Sequence, residues 1–192
     1  VRREFRATDS PTAPNLSQDK EFVSDWEALL DDSVRSAHAA GAVVVVQFSD
    51  LECPFCRRLH LALRSAQADL DVPVRSVFVH YPLPQHRFAI PAARGSECAR
   101  EQGRFDEFID AIFSKQDSLG LRSWVAYARD AGVSDTSAFG SCIARSDVPL
   151  RVEQGRTSGD ELHVSGTPTV IINGWRYPVP PYEGLTKVLE AA

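Results

Sequence analysis

The sequence predicts an α/β fold, a small sheet with helices inserted mid-chain, and three observations carry that reading. A continuous β-branched run, Ala42-Val-Val-Val-Val-Gln-Phe-Ser49, has the pattern of a central strand covered on both faces. The middle of the chain reads as helical and contains no strand candidate. After it β character returns, with the hairpin signal Asn173-Gly174.

Taken in order, residues 1–20 are polar, hold two prolines and read as a flexible N-terminal tail. Phe22, Trp26, Leu30 and Val34 fall four apart, which predicts one helix ended by Gly41. The strand at 42–49 leads into Cys53-Pro-Phe-Cys56 and a helix to about Leu70. A second strand, Val72 to Val79, ends at His80-Tyr-Pro-Leu-Pro-Gln-His86. Phe105, Phe108, Ile109, Ile112 and Phe113 form one apolar helical stripe, and Leu121, Trp124, Val125 and Ala128 a second. These aromatics read as core. A shorter helix carries Ala138, Phe139, Cys142 and Ile143, its start marked by Ser134, Asp135 and Thr136. A polar helical stretch follows to about His163. Strand character runs from Val164 to the Asn173-Gly174 turn and returns through Trp175–Tyr177, and a helix over Tyr182–Ala192 closes the chain.

At 192 residues the length suits one domain, and 43% hydrophobic with 24% charged residues suits a soluble globular protein. The longest apolar run, Ala42 to Val46, is far short of a membrane span. A net charge of −5 argues against a nucleic-acid partner, which calls for a basic face. The chain holds no methionine, even at position 1, so the expectation is a processed chain from which any export signal has been removed. Four cysteines are too few for a disulfide-stapled mini-domain, but an even number suits an oxidising compartment.

The chemistry centres on Cys53-Pro-Phe-Cys56, where a buried strand gives way to a helix. Cys53 stands near the helix N-terminus, where unpaired N–H groups and the helix dipole favour a thiolate. Pro54 at the helix start gives up an N–H that has no helical partner there. The two-residue spacing brings Cys56 back beside Cys53, so it can resolve a mixed disulfide. Arg57 and Arg58 add positive charge and are expected to point to solvent. The rival reading, half a structural zinc site, needs a second close Cys or His pair, and the sequence has none. A second element, Gly166-Thr167-Pro168-Thr169, precedes a strand. A proline there starts the strand or sits in a tight turn, and a cis bond suits the position.

In these pieces the sequence resembles the DsbA-like thiol–disulfide oxidoreductases of thioredoxin fold. The matching residues are Phe48-Ser-Asp50-Leu-Glu-Cys53-Pro-Phe-Cys56, Tyr81-Pro-Leu-Pro-Gln-His86, Ala92-Ala93, Glu97-Cys98-Ala99, Gly103-Arg-Phe105, and Gly166-Thr-Pro-Thr-Val with Asn173-Gly174. The resemblance implies a thioredoxin-like domain from 21–86 plus 163–192, with an inserted α-helical domain at 87–162. It implies that Cys53 attacks, that Cys56 resolves, and that Thr167-Pro168 forms a cis-proline loop facing them. The Thr167 backbone would then pair with an extended substrate peptide. Asp50 matches an acidic position of this branch; it either influences proton transfer to Cys56 or caps the turn. DsbA itself has His in the dipeptide, whereas Phe55 offers no imidazole to the Cys53 thiolate.

The function expected is an exported dithiol oxidase exchanging disulfides with cysteine-containing exported proteins. It is expected to be a periplasmic or extracytoplasmic monomer, regenerated by a membrane redox partner. No organic cofactor or metal is expected, because the disulfide itself carries the electrons. The alternatives are a reductase or isomerase of the same fold, or a non-catalytic redox module, such as the soluble part of a membrane redox protein. Cys98 and Cys142 lie 44 positions apart in the helical stretch and are left open between a second disulfide, two buried thiols and a redox relay. A bridge there would add roughly 3–4 kcal/mol in the chain-entropy model. His60, one turn beyond Cys56, either tunes the site or packs, with packing favoured. His86 reads as structural, and His38, His80 and His163 have no motif around them.

Overall fold

The computed structural model describes residues 20–177, 182 and 184–192; of the expected tail only Lys20 is among them, and the rest lies outside the described residues. In chain order the elements are β1 (Glu21–Phe22), α1 (Asp32–Ala39), β2 (Val43–Ser49), α2 (Pro54–Asp69), β3 (Val74–His80), α3 (Ala89–Arg100), α4 (Phe105–Ser114), α5 (Trp124–Asp130), α6 (Thr136–Ile143), α7 (Leu150–Glu161), β4 (Thr169–Ile172), β5 (Trp175–Tyr177) and α8 (Leu185–Glu190). Short 3-10 turns at Trp26–Leu29 and Gln116–Ser118 complete them. The sheet order is β1-β5-β4-β2-β3. This is the thioredoxin-like α/β arrangement, with the helices α3–α7 between β3 and β4.

All seven residues of β2 are buried, as a β-branched run without alternation requires. β2 pairs in parallel with β3, and α2 is the crossover that a parallel pair needs. On its other side β2 pairs antiparallel with β4. Val43 and Val45 pack on Leu59, Leu63 and Ala66 of α2 and on Leu185 and Leu189 of α8. Val44, Val46 and Phe48 face the opposite way, onto Val23, Trp26, Leu30 and Ile171. Complete burial of one such side chain contributes about 1.5–3 kcal/mol, so β2 anchors both layers. The β4–β5 turn has Asn173 at φ 45° and Gly174 at φ 85°, the left-handed pair of a tight hairpin.

A third core fills the helical layer with Phe108, Ile112, Phe113, Tyr127 and Phe139, and it takes in Leu51, Cys53 and Cys56. The start of α2 is therefore embedded where the helical layer meets the sheet. α7 returns to the sheet itself: a Cβ on Gly155 would fall 2.3 Å from the carbonyl oxygen of His80, so helix and strand backbones touch there.

Three sequence expectations are corrected. The single helix predicted from Phe22 is instead β1, a 3-10 turn and α1. Phe22 pairs with Trp175 across the β1–β5 ladder, and the Asp31 carboxylate accepts the Val34 N–H at 2.9 Å and starts α1 afresh. Leu121 is 88% exposed and precedes α5, so it does not belong to the apolar stripe. β4 begins at Thr169 rather than Val164, which leaves Ser165–Pro168 as a loop beside the cysteines.

Candidate active site

Cys53 is the N-cap of α2, with extended backbone, and Pro54 occupies the first helical position. Both cysteines are free and buried, Cys53 at 3% and Cys56 at 0% exposure, while Phe55 between them is 59% exposed. The Cys56 thiol lowers the Cys53 pKa to about 6; burial opposes this, and the N–H groups of Cys56 and Phe55 and the Thr167 side chain support it. Burial pushes the Cys56 thiol far up, and its hydrogen bond and charge contact with Cys53 act in the same direction. The Asp50 N–H donates to Cys56 Sγ at 3.4 Å. One sulfur is thus prepared as a thiolate and the other as a thiol.

The loop carrying them is fixed from three sides. Asp50, buried, accepts the Glu52 N–H on Oδ1 at 2.8 Å and the Leu83 N–H on Oδ2 at 2.8 Å. Its Oδ2 also lies 2.7 Å from Nδ1 of His86. Glu52 accepts the Phe88 N–H at 2.5 Å, which ties the same loop to the start of α3. From the opposite side Gln116 Nε2 donates to the carbonyls of Leu51 (2.9 Å) and Cys53 (3.0 Å). Arg57 is half-buried and pairs with Asp117, whereas Arg58 is exposed as expected, its guanidinium 4.6 Å over the Tyr182 ring.

The Thr167–Pro168 peptide bond is cis. As a thiol, Cys53 donates to the Thr167 carbonyl at 3.3 Å, which sets this loop directly against the sulfur. Beside them opens a groove of about 670 Å³, walled by Cys53–Phe55, the loop 81–86, Arg156 and Asp160 of α7, and Ser165–Thr167. A groove that joins a low-pKa thiolate to a backbone segment next to a strand can hold a peptide alongside the sulfur.

Of the remaining sequence candidates, Cys98 and Cys142 form a disulfide that joins α3 to α6. His60 is held by Asp110 at 2.6 Å and lines a separate cavity along β3, away from the cysteine groove. His80 is buried against Glu97 at 3.0 Å. Gln116 is the site residue the sequence reading missed; Asp50 was predicted, and His86, read as structural, was not connected to it. Gln116 follows Cys53 by 63 positions in a segment with no motif, and nothing local flags it. His86 was visible as part of Tyr81-Pro-Leu-Pro-Gln-His86, but its carboxylate partner lies 36 positions back. Among the described residues no group of three or more His, Cys, Asp or Glu is placed to hold a metal ion.

Here a thioredoxin-like fold presents an asymmetric Cys-x-x-Cys pair at a helix N-terminus, an arrangement that suits thiol–disulfide exchange. The thioredoxin family model matches residues 33–191, and the chain belongs to that family. A thioredoxin-like oxidoreductase from Silicibacter pomeroyi is similar in structure, with 27% identity and a TM-score of 0.63 over 78% of this chain and 86% of that one. BdbD from Bacillus subtilis (19% identity, TM-score 0.67, 78% and 86% covered) shares the fold. So does DsbA from Xylella fastidiosa (22%, TM-score 0.58, 80% and 89% covered). Curated relatives include Na(+)/H(+) antiporter NhaA 1 of Mycolicibacterium gilvum, 35% identical over 153 residues, which are 78% of this chain and 25% of that protein. NhaA 3 of Salinispora tropica is 36% identical over 150 residues, 78% and 22% respectively. The chain spans about a quarter of the length of these relatives.

Proposed function

We propose that the protein is a dithiol oxidase that passes the Cys53–Cys56 disulfide to cysteine-containing exported proteins. The observation that carries this is the asymmetry of the pair, with Cys53 held down to about 6 and Cys56 held far above its ordinary value. A substrate thiolate attacks Cys53 Sγ; the Cys53–Cys56 bond breaks, and Cys56 leaves with its electron pair and takes a proton. A second substrate thiolate then attacks the substrate sulfur of the mixed disulfide and releases Cys53. A thiol of low pKa leaves faster and is more stable once released, so the reduced protein is favoured and disulfide flows outward. Pro54 holds the helix start at Cys53, and Phe55 presents an exposed apolar face to the substrate. The Thr167 backbone, beside cis-Pro168, pairs with the extended peptide, and Asp50 fixes the loop behind Cys56.

In this reading residues 21–86 and 163–192 form the exchange domain and 87–162 the helical insertion. The protein acts as a monomer outside the cytoplasm, in the periplasm or an equivalent compartment, and is reoxidised by a membrane redox partner. No helix among the described residues is long and apolar enough to cross a membrane.

The antiporter relatives favour a second reading, in which this domain is a redox module belonging to, or acting on, an ion-transport protein. Two variants decide between turnover and binding. Cys53→Ser abolishes oxidation of a reduced test protein, and Cys56→Ser accumulates a mixed disulfide through Cys53. Oxidation at the wild-type rate by Cys53→Ser would overturn the catalytic reading and leave a binding module.

A further inference from the structure

The groove beside Cys53 holds a second titratable pair that the exchange steps above leave unused. His86, on the loop between β3 and α3, lines this groove together with Cys53. Its side chain is 21% exposed, whereas that of its partner Asp50 is 0% exposed. An imidazole whose Nδ1–H is donated to a buried carboxylate has its tautomer and ring orientation fixed, and Nε2 becomes its proton-exchanging atom. His86 Nε2 has no hydrogen-bond partner among the described residues. Asp50 for its part is anchored by the Leu83 and Glu52 N–H groups, so the pair is set in backbone. Phe55 supplies no charge within the motif, and the cationic or protonatable nitrogens lining the groove are those of His86 and Arg156.

We propose that His86, oriented by Asp50, is the proton carrier of this active site: a base toward the substrate thiol in the oxidised protein and an imidazolium facing the Cys53 thiolate in the reduced one. The proposal rests on the oxidoreductase reading. In the first step the substrate S–H bond breaks and its proton goes to His86 Nε2. The sulfur's electron pair forms the bond to Cys53 Sγ, the Cys53–Cys56 bond breaks, and the carried proton passes on to Cys56. In the second step the second substrate thiol gives its proton to His86, its sulfur closes the substrate disulfide, and Cys53 leaves as thiolate. Two thiols become one disulfide, and the two protons end on Cys56 and His86.

The electrostatics agree with this role. Burial pulls the His86 pKa down, but the hydrogen bond and charge of Asp50, with the charges of Glu52 and Cys53, outweigh it and hold it above the ordinary value. The other ionisable groups around the groove are Tyr81 of the same loop and Arg156 and Asp160 of α7. Tyr81 donates its O–H to Asp160 at 2.8 Å, and Cys53 is the cysteine that lines the groove with His86. An imidazole within reach of the attacking thiol can serve as general base for that proton transfer.

The test is His86→Asn, which keeps an N–H for Asp50 but cannot titrate, set beside His86→Phe, which removes both. Thiolate absorbance of the reduced protein is followed against pH, together with the pH profile of substrate oxidation. Expected for His86→Asn is a Cys53 pKa higher by about one unit, or about tenfold in the thiolate-to-thiol ratio, with loss of the limb of the rate profile that follows His86. An unchanged thiolate titration and rate profile in this variant would overturn the proposal and leave His86 as a structural partner of Asp50. If His86→Asn does not fold, the His86 ring is titrated by NMR in reduced and oxidised wild type. Its pKa falls on oxidation if it faces the thiolate, and an equal value in both states overturns the pairing. A wild type without exchange activity at any pH overturns the oxidoreductase reading and the base role with it, while thiolate titration still decides the charge pairing.

Discussion

Two carbonyls of the loop that presents Cys53, those of Leu51 and Cys53, accept from a single side chain, the Gln116 amide. Gln116→Leu leaves the Leu51 carbonyl without its donor, at about 1–3 kcal/mol for an unsatisfied group, and leaves the Cys53 carbonyl with the Arg57 N–H alone. The expected result is a fall of that order in denaturant stability, together with a slower exchange rate because Cys53 is less well positioned. The pH dependence belongs to the same scale. Cys53 titrates near 6 folded and about 9 unfolded, so its contribution to the reduced protein is fully present above about pH 9 and is lost as pH falls toward 6. Relative to Cys53→Ser, the reduced wild type should therefore gain Tm between about pH 6 and 9; a flat difference contradicts the depressed thiol. The motif itself was legible because its chemistry is local: two sulfurs, a helix start and a proline lie within four consecutive residues. Gln116 and the Asp50–His86 pair were not, because hydrogen bonds across 63 and 36 positions leave no spacing pattern.

The contact of α7 with β3 has no side chain between the two backbones. Gly155→Ala would place a methyl 2.3 Å from the His80 carbonyl oxygen, and backbone cannot rotate away as a side chain does. Overpacking of this kind costs typically about 1–3 kcal/mol, and the displacement would carry Arg156 and Asp160 away from the groove. Calorimetry with an exchange assay checks both effects. Helices α4 and α6 were readable from their apolar stripes, and α6 also from its cap, since Asp135 accepts the Ala138 N–H at 2.8 Å. Periodicity failed at Phe22–Val34 because it records which side chains are buried, not how the backbone places them. A two-residue strand followed by a 3-10 turn buries Trp26 and Leu30 as well as a helix would.

The molecule is assembled around a central strand with one core on each face, and a third core in the helices encloses the cysteine pair. The Cys98–Cys142 bridge ties that third core together, closing a separation of 44 residues between α3 and α6. Replacing both with alanine should lower stability by roughly 3–4 kcal/mol in the chain-entropy model, while the Cys53–Cys56 couple keeps its exchange chemistry. If exchange is lost while the fold persists, the bridge has a redox part of its own. The pairing was open in the sequence because two isolated cysteines at helix positions state nothing about distance. The α/β class was legible, since a long buried β-branched run and a late hairpin leave few ways to close a sheet. The most direct measurement is the equilibrium of Cys53–Cys56 in defined glutathione buffers, with Cys98 and Cys142 mapped by mass. The account predicts a potential toward about −120 mV, with the reduced form the more stable. A value near about −270 mV would contradict it and make the protein a reductase.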